Sequence, residues 1–351
     1  MQVQHGKQKR KLPLWFPYTS KIELSGSKIN FIYKGGKQKI DLKNIHSIMF
    51  YGSHCPLCEE FLDKCSLYKI PVVTHRRNMT RGNWIITPYG TNREDILTRQ
   101  ILFRENQKKR LYITRNLLKA KFDSMKWLTE PPMESLYRVM EIKKLISIEA
   151  HHAKIYWKKY YSELGQKHDF SRRGNTDNYI SQTLNAVSKF TCSIILRWLI
   201  YHHLSAFHGF MHLSTEYPAL VYDLFEPYRG YCDKIVFDTL KNNKSKPREI
   251  IIASAIENIK DFLDTEVYIN TTRQIITFHE LFHGIVLAFR SYLLGNKRFI
   301  VPLPGIPNGG RPIKAGYKLY GRNAGITNFW PDTNKIAQNY RKLFFYNQKS
   351  K

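Results

Sequence analysis

The spacing of apolar residues changes once along this 351-residue chain, near Asn92. Before that point, apolar and polar residues alternate, as they do around Gly26 in the stretch 21–33. After it, apolar residues recur every three or four positions as far as Leu294, with few glycines. Alternation is typical of half-buried strands, and the longer period is typical of helices. The sequence therefore predicts an α+β protein with a small N-terminal β-rich domain followed by a larger all-helical domain.

The same change of spacing predicts the boundaries within the chain. The predicted parts are a β-rich domain at 1–90 that begins with a basic arm at 1–20, a helical domain at 91–296 and a basic, irregular tail at 297–351. The predicted helices cover 92–125, 133–163, 178–206, 216–241, 247–263 and 274–294. Asp95 and Thr272 stand at predicted helix starts and Gly295 at a predicted stop, because side-chain oxygens cap a first turn and glycine ends a last one.

The formal charge of the chain is strongly positive. Lys and Arg number 56 against 28 Asp and Glu, which gives a net charge of +28. Such a surface attracts polyanions, and nucleic acid is the partner that we expect ahead of an anionic membrane or an acidic protein. Uncharged apolar runs are too short to span a bilayer and no apolar signal-peptide core follows the basic start, so we expect a cytoplasmic protein. Five cysteines without framework spacing favour reduced thiols.

A histidine and two carboxylates lie close together in the second half of the chain. A helix that begins near Pro218 would carry Asp223 and Glu226 on one face and could pack back toward His212. Glu149 is the best candidate for a third ligand, since a carboxylate on an apolar helix face needs a partner or a metal. Acidic metal ligands inside a basic protein suit a phosphodiester enzyme. On spacing alone, surface acids that happen to lie near a histidine are the alternative.

Several segments carry a family resemblance. They are Glu-Ala-His-His-Ala-Lys-Ile-Tyr-Trp at 149–157, Gly-Phe-Met-His at 209–212, Leu-Val-Tyr-Asp-Leu-Phe-Glu-Pro-Tyr-Arg at 220–229, Val-Tyr-Ile-Asn-Thr-Thr-Arg at 267–273 and Tyr-Leu-Leu-Gly at 292–295. Through them the chain resembles the CRISPR-associated integrase of spacer acquisition, the first universal Cas protein, over nearly its whole length. Two departures exist: Ala150 stands where many members have glycine, and Asn185-Ala-Val-Ser replaces Asn-Tyr-Gly-Tyr.

The resemblance implies a metal-dependent DNA endonuclease and integrase, which inserts short DNA fragments into a CRISPR repeat array by attack of a 3′-hydroxyl on a phosphodiester. It implies that Glu149, His212 and Glu226 hold Mg²⁺ or Mn²⁺, while Asp223 orients a ligand or a water. It also implies a homodimer formed through the β-rich domain and pairing with the small second universal Cas protein. A transposon-borne integrase of the same superfamily and a non-catalytic DNA-binding scaffold are the alternatives.

Basic residues near the predicted site are candidates for contacts with DNA. We expect Arg173 and Arg229 to bind phosphates, because Arg173 lies in a predicted loop and Arg229 lies one turn from Glu226. Lys154 and Lys189 are further candidates on predicted helices near the site. Most other lysines of so basic a chain are expected to be ordinary solvated residues.

A second motif competes for a metal. His279-Glu280-Leu281-Phe282-His283 has the H-E-x-x-H spacing of zinc proteases on a predicted helix. No Asp or Glu follows Glu280 before Asp332, so a downstream acidic ligand is missing. The longer three-histidine form also fails, since Val286 and Phe289 occupy the required positions. Apolar neighbours on one face predict a core helix, and zinc proteolysis is the less favoured alternative.

The cysteines near the start of the chain raise a smaller question of the same kind. Cys55, Cys58 and Cys65 lie within twelve positions of His54 and could together bind zinc. There is no second C-x-x-C pair in the sequence. Buried thiols near a loop–helix junction are therefore the favoured interpretation.

Overall fold

The computed structural model describes residues 11–53, 56–76, 82–86, 95–133, 135–166, 178–243, 246–307, 313–314 and 333–344. The chain separates into two compact units, residues 1–89 and 90–351. Within the described residues, no helix is both long enough and apolar enough to cross a membrane.

The N-terminal unit is built mostly of strands. Its elements are β1 (Leu12–Pro17), β2 (Lys21–Ser25), β3 (Lys28–Tyr33), β4 (Gly36–Asp41), β5 (Ile45–Tyr51), α1 (Glu59–Leu67), β6 (Val72–His75) and β7 (Asn83–Ile85). The strands form one sheet in the order β1-β5-β6-β7 and a second in the order β2-β3-β4. In the first sheet β5 pairs parallel to both β1 and β6, whereas the second is an antiparallel meander.

An apolar core lies between these two sheets and α1. Phe16 of β1 stacks on Phe31 of β3 with ring centroids 4.1 Å apart, and Phe61 of α1 meets Phe31 edge to face. Strand β5 is buried at every position, as the central strand of a covered parallel pair must be. The expectation of a β-rich start is thereby confirmed.

The basic arm predicted at 1–20 is wrong for the described part of that range. Residues 12–17 form β1, which pairs in parallel with β5 and buries Leu14, Trp15 and Phe16. The run Leu-Pro-Leu-Trp-Phe-Pro is apolar throughout and does not alternate, because both of its faces are covered. The sequence nevertheless favoured a loop, because the run contains two prolines, which strands tolerate only at a sheet edge or at a strand end.

The second unit is mostly helical. Its helices are α2 (Ile96–Glu105), α3 (Gln107–Ser124), α4 (Ile142–Glu163), α5 (Tyr179–Tyr201), α6 (Ala219–Asn242), α7 (Arg248–Leu263), α8 (Phe278–Leu293) and α9 (Thr333–Phe344), and its strands are β8 (Glu266–Ile269), β9 (Gln274–Thr277), β10 (Pro304–Gly305) and β11 (Ile313–Lys314). The strands form one sheet in the order β10-β8-β9-β11. The α+β class is confirmed, and this small sheet corrects the expectation of an all-helical second domain.

Helices α3 and α6 approach each other closely at Gly230. A Cβ atom at this position would lie 2.3 Å from the carbonyl oxygen of Ser124, so only glycine allows the contact. The Gly230 N–H donates to Ser124 Oγ (3.2 Å), and the Trp127 indole donates to the Gly230 carbonyl (2.9 Å). This approach brings Lys121 of α3 opposite Glu226 of α6.

Candidate metal centre

A buried carboxylate, Asp223 on α6, organises the loop that carries His212. Its Oδ2 accepts hydrogen bonds from the backbone N–H groups of Phe210 (2.5 Å) and Met211 (2.9 Å), and Oδ1 accepts one from that of His212 (3.1 Å). Oδ1 also lies 2.6 Å from Nδ1 of the His212 ring. Because charge-assisted hydrogen bonds are strong, Asp223 fixes both the backbone and the ring at His212. Nε2 is then the ring nitrogen left for a ligand.

Gly209 allows this loop to wrap tightly around Asp223. A Cβ atom at Gly209 would lie 2.4 Å from the carbonyl oxygen of His212 and 2.8 Å from Oδ2 of Asp223. Neither the backbone oxygen nor the fully bonded carboxylate can move aside cheaply. The glycine of the Gly-Phe-Met-His motif is therefore required by the close approach of the loop to the carboxylate.

Two arginines hold the opposite side of the same loop. Arg104 of α2 donates to the carbonyl oxygens of Gly209 and Leu213, both at 3.1 Å. Arg110 of α3 donates from Nε to the carbonyl oxygen of Phe210 at 2.8 Å. The amides of the loop thus face a carboxylate and its carbonyls face guanidinium groups. The position of His212 is set from both sides.

A buried lysine joins the two predicted glutamate ligands. Lys121 Nζ lies 2.5 Å from Oε1 of Glu149 on α4 and 2.7 Å from Oε2 of Glu226 on α6. Its side chain is 7% exposed, and that of Glu226 is 4% exposed. Carboxylates from two separate helices therefore converge on one cationic group.

Glu226 also forms a two-point ion pair with Arg229, one turn further along α6. Arg229 Nε lies 3.0 Å from both carboxylate oxygens, and Nη2 lies 2.6 Å from Oε1. Burial alone would raise the pKa of Glu226, but Arg229 and Lys121 lower it well below the ordinary value. The carboxylate is consequently ionised at neutral pH and its charge is fully balanced.

His212 lies within electrostatic reach of this pair. Burial opposes a charge on the imidazole, yet the hydrogen bond and the charge of Asp223 raise the pKa of His212 above its ordinary value. Glu226 raises it further, and the charge of His212 in turn lowers the pKa of Glu226. The loop histidine and the α6 carboxylate therefore belong to one electrostatic cluster.

The donor types at this position are ones that Mg²⁺ or Mn²⁺ can take in proteins. Glu149 and Glu226 already lie on either side of one cation, the Lys121 ammonium, and His212 has its ring orientation fixed by a carboxylate, as metal-binding histidines commonly do. Two carboxylates and an imidazole suit Mn²⁺ at least as well as Mg²⁺. In the described parts of the chain, no three His, Cys, Asp or Glu side chains are gathered closely enough to hold a metal as they stand. Lys121 lies between the two glutamates.

The predicted DNA contacts differ in their surroundings. Lys154 is exposed on α4. Lys189 on α5 is 9% exposed, and its ammonium donates to the Tyr222 hydroxyl, so we expect it to position that tyrosine rather than to meet a phosphate. Arg229 is 12% exposed and bound to Glu226. Arg173 lies outside the described residues.

Sequence reasoning missed three residues of this site: Lys121, Arg104 and Arg110. For Lys121 a signal exists, because it stands between Ala120 and Phe122 on a buried face of α3, where a charged residue needs a partner. The arginines gave no such signal. They bind backbone carbonyls more than ninety positions away along the chain, and no local pattern encodes that contact.

The H-E-x-x-H motif on α8 has other partners. Glu280 caps the helix: its Oε2 accepts from the Thr277 backbone N–H at 2.8 Å, which completes a capping box. The His283 ring stacks on Trp198 with centroids 3.7 Å apart, and its Nε2 lies 2.8 Å from Nε2 of His202. His279 is 3% exposed. The glutamate thus serves the helix end, and the histidines pack in the interior.

The cysteine cluster is only partly described, since Cys55 and His54 lie outside the described residues. Cys58 is exposed at the start of α1 and Cys65 is buried within it. Burial raises the pKa of the Cys65 thiol to about 12. A protonated, buried thiol is a small apolar group in the core rather than a metal ligand.

Known proteins resemble this chain in sequence pattern and in fold. The family model for CRISPR associated protein Cas1 matches residues 15–256. A casposase bound to integration product has a TM-score of 0.70 at 16% identity, over 94% of this chain and 98% of its own. A Cas1 protein from Thermotoga maritima has a TM-score of 0.65 at 16% identity, over 83% and 98%. A Cas6-RT-Cas1–Cas2 complex has a TM-score of 0.70 at 12% identity, over 84% of this chain and 36% of its own. A search of curated proteins finds no match.

Proposed function

The chain belongs to the Cas1 family of CRISPR-associated proteins, and we propose that it is a metal-dependent DNA endonuclease and integrase. It would insert short DNA fragments into a repeat array. The observation that carries this proposal is the convergence of Glu149 and Glu226 on one cation position, beside a histidine held by Asp223.

The proposed reaction is a transesterification at phosphorus. The oxygen of a fragment's 3′-hydroxyl forms a bond to the phosphorus of the target strand, and the bond from that phosphorus to the 3′-oxygen of the cut strand breaks. When bound, Mg²⁺ or Mn²⁺ would polarise the phosphate and favour loss of the hydroxyl proton. Attack by water in place of the hydroxyl would give the endonuclease activity.

The residues of the chain have separate tasks in this scheme. Glu149, His212 and Glu226 would bind the ion, and Asp223 keeps the imidazole in a fixed orientation through its Nδ1. Arg229 balances the charge of Glu226 and fixes its carboxylate in two-point contact. Arg104 and Arg110 hold the loop so that His212 cannot drift from the α6 carboxylate.

The proposed partners, DNA and the small second universal Cas protein, rest on the charge of the chain and on its likeness to known structures. The net charge of +28 suits DNA, and exposed Lys154 together with Arg173 and Arg229 are the residues that we propose for phosphate contacts. Likeness to the chain of a Cas6-RT-Cas1–Cas2 complex supports pairing with the small second universal Cas protein. We propose that the β-rich unit forms a homodimer, as the family resemblance implies.

A transposon-borne integrase is a second candidate, because the likeness to a casposase covers 94% of this chain. The two functions share the same chemistry and differ in their DNA. A repeat-array integrase should insert at the borders of CRISPR repeats, whereas a transposon integrase should prefer the ends of its own element as donor. Sequencing of the insertion junctions distinguishes them.

Strand transfer of a labelled duplex into a supercoiled plasmid tests the proposal. We expect products only with Mn²⁺ or Mg²⁺, only with a 3′-hydroxyl end, and not with His212→Ala. A 3′-deoxy end and EDTA are the chemical controls, and His151→Ala, at an exposed histidine of α4, is the matched variant. Metal-independent products, or full activity of His212→Ala with Mn²⁺, would contradict the assignment. Binding without transfer, also in the presence of the small partner protein, would favour a scaffold.

A further inference from the structure

The position between Glu149 and Glu226 is held by a residue of the chain itself. Lys121 lies 2.5 Å from one carboxylate and 2.7 Å from the other, and only 7% of its side chain is exposed. Both contacts are charge-assisted hydrogen bonds, and the one with Glu226 is buried on both sides, where ionic interactions are stronger than at a surface, whereas the Glu149 side chain is 23% exposed. An ion that binds both glutamates must therefore displace this ammonium from at least one of them.

Charged groups of both signs surround this position. Glu149, Glu226 and the buried Asp233, whose charge acts on Arg229, carry three formal negative charges, and Lys121 and Arg229 carry two positive ones. The charge of Asp223 is bound separately by three backbone N–H groups and the His212 ring. A divalent cation added to this cluster would leave an excess of one positive charge in a largely buried place, which is costly unless an anion arrives with it.

The phosphodiester of bound DNA is the anion that fits this need. We propose that Lys121 is an internal counter-cation of the metal centre, which makes the binding of the divalent ion and of a DNA phosphate mutually dependent. The proposal rests on the function proposed above and deepens it: the site binds metal alone weakly and binds it more tightly when DNA binds with it. By linkage, DNA should raise metal affinity by the same factor by which metal raises DNA affinity.

The two cations of the cluster are suited to different roles. Arg229 binds one carboxylate through a rigid two-point contact on its own helix, and it holds that carboxylate in place. Lys121 has a flexible stem and a compact charge, and it reaches its partners from a third helix. Its ammonium can leave one carboxylate by rotation of the side chain while the helix stays in place.

A purely structural ion pair makes a different prediction. If Lys121 only joins α3, α4 and α6, its loss should lower stability and leave metal binding unchanged or weaker. If it competes with metal, its loss should strengthen metal binding in the absence of DNA. The sign of the change in metal affinity therefore separates the two roles, and enzyme activity is not needed as the readout.

Calorimetric titration of the full chain with Mn²⁺, with and without a saturating DNA duplex, tests the proposal. For wild type we expect DNA to raise Mn²⁺ affinity, within the range of about 5- to 150-fold that is typical of coupled sites. For Lys121→Met we expect tighter Mn²⁺ binding without DNA, by about tenfold, and a smaller effect of DNA. Lys126→Met is the matched control, since this half-exposed lysine forms an ion pair with Asp123, 2.6 Å away. It should behave as wild type.

Each outcome of this experiment is decisive. If wild type binds Mn²⁺ equally tightly with and without DNA, the inference is wrong. This holds even when Lys121→Met does not fold, because the measurement uses wild type alone. Unchanged or weaker Mn²⁺ binding by a folded Lys121→Met also overturns the inference. If wild type shows such uncoupled binding and still transfers strands, the proposed function stands and only the inference fails. If wild type binds no Mn²⁺ in either condition, the proposed metal-dependent function fails with it.

Discussion

Two regions of this protein combine histidines with a glutamate or aspartate at short spacing, and the structure treats them in opposite ways. In the 209–226 region, Asp223 bonds the His212 ring and three backbone amides, and Glu226 lies on a cation. In the 279–283 region, Glu280 caps its own helix, and His283 stacks on Trp198. The first region assembles charged groups from α3, α4 and α6, whereas the second completes the packing of α5 and α8.

The chemistry open to a motif therefore depends on the partner of each polar group and not only on the spacing of the residues in the sequence. A glutamate whose oxygen is occupied by the end of its own helix is poorly placed to act on a neighbouring metal. A histidine with one ring nitrogen held by a buried carboxylate is prepared to bind one with the other. Substitutions in each region test whether its polar groups have these separate roles.

The largest effect is expected for Glu226→Gln. This change keeps the shape of the side chain but removes its charge, so the proposed metal ligand is lost and Lys121 and Arg229 lose their shared partner. Metal ions contribute several kcal/mol to phosphoryl transfer, so strand transfer should fall by about 10²-fold or more. Quantified product formation under single-turnover conditions measures it, with Glu280→Gln as the control that should keep normal transfer. If Glu280→Gln lowered strand transfer more than Glu226→Gln did, the roles assigned to the two regions would be wrong.

The next largest effect is a loss of stability, which is expected for Asp223→Ala. Asp223 is fully buried, and its loss leaves three backbone amides and the His212 ring without their acceptor. Loss of such a charged partner costs about 3–5 kcal/mol. Thermal unfolding of the metal-free chain should show a clear drop of the midpoint, and a midpoint equal to that of wild type would mean that the loop does not depend on Asp223.

A modest effect is expected for Glu280→Ala. The capping box at the start of α8 would be lost, which costs about 0.5–2 kcal/mol of stability. If Glu280 instead belonged to a zinc protease site, the change would abolish peptide hydrolysis and leave stability nearly intact. Denaturant unfolding, together with elemental analysis for zinc in the purified protein, distinguishes these roles. Stoichiometric zinc would contradict our interpretation.

The smallest effect is expected for the pH dependence of stability, through the two histidines His202 and His283. Burial lowers the pKa of His202 to about 4 and that of His283 to about 3, so the unfolded chain binds protons more readily than the folded one. Stability should therefore be level above the unfolded pKa of about 6.5 and fall as the pH drops below it toward the folded values. Between about pH 7 and 6 we expect less than about 1 kcal/mol per histidine. In His283→Phe this acid slope should be shallower, and an unchanged slope would contradict the assigned burial.

The sequence predicted the fold best where the signals were local. The α+β class, the cap of α2 at Asp95 and the stop of α8 before Gly295 all follow from periodicity and from short-range chemistry. The start predicted at Thr272 is wrong, because residues 266–277 form the β8–β9 hairpin and α8 begins at Phe278. Strand β9 is only four residues long, and its apolar residues run directly into the apolar start of α8. Their spacing therefore does not distinguish this strand from a first helical turn.

The site was predictable in part for the same reason. Asp223 and Glu226 share a helix face, and their proximity follows from spacing. The meeting of Glu149 with Glu226 depends on the packing of three helices and on the absence of a side chain at Gly230. No pattern within one segment encodes Lys121 as the group between them. The contacts that set the charge of the site join residues far apart in the sequence, so only the folded structure shows them.

Anomalous diffraction from crystals of the full chain with a DNA duplex and Mn²⁺ would show whether Glu149, His212 and Glu226 bind the metal. We expect one strong manganese peak within bonding distance of these three residues, with the Lys121 ammonium withdrawn from at least one carboxylate. We expect no peak at His279 and His283. Manganese bound between those two histidines, or an empty position between Glu149 and Glu226 with DNA in place, would contradict the account.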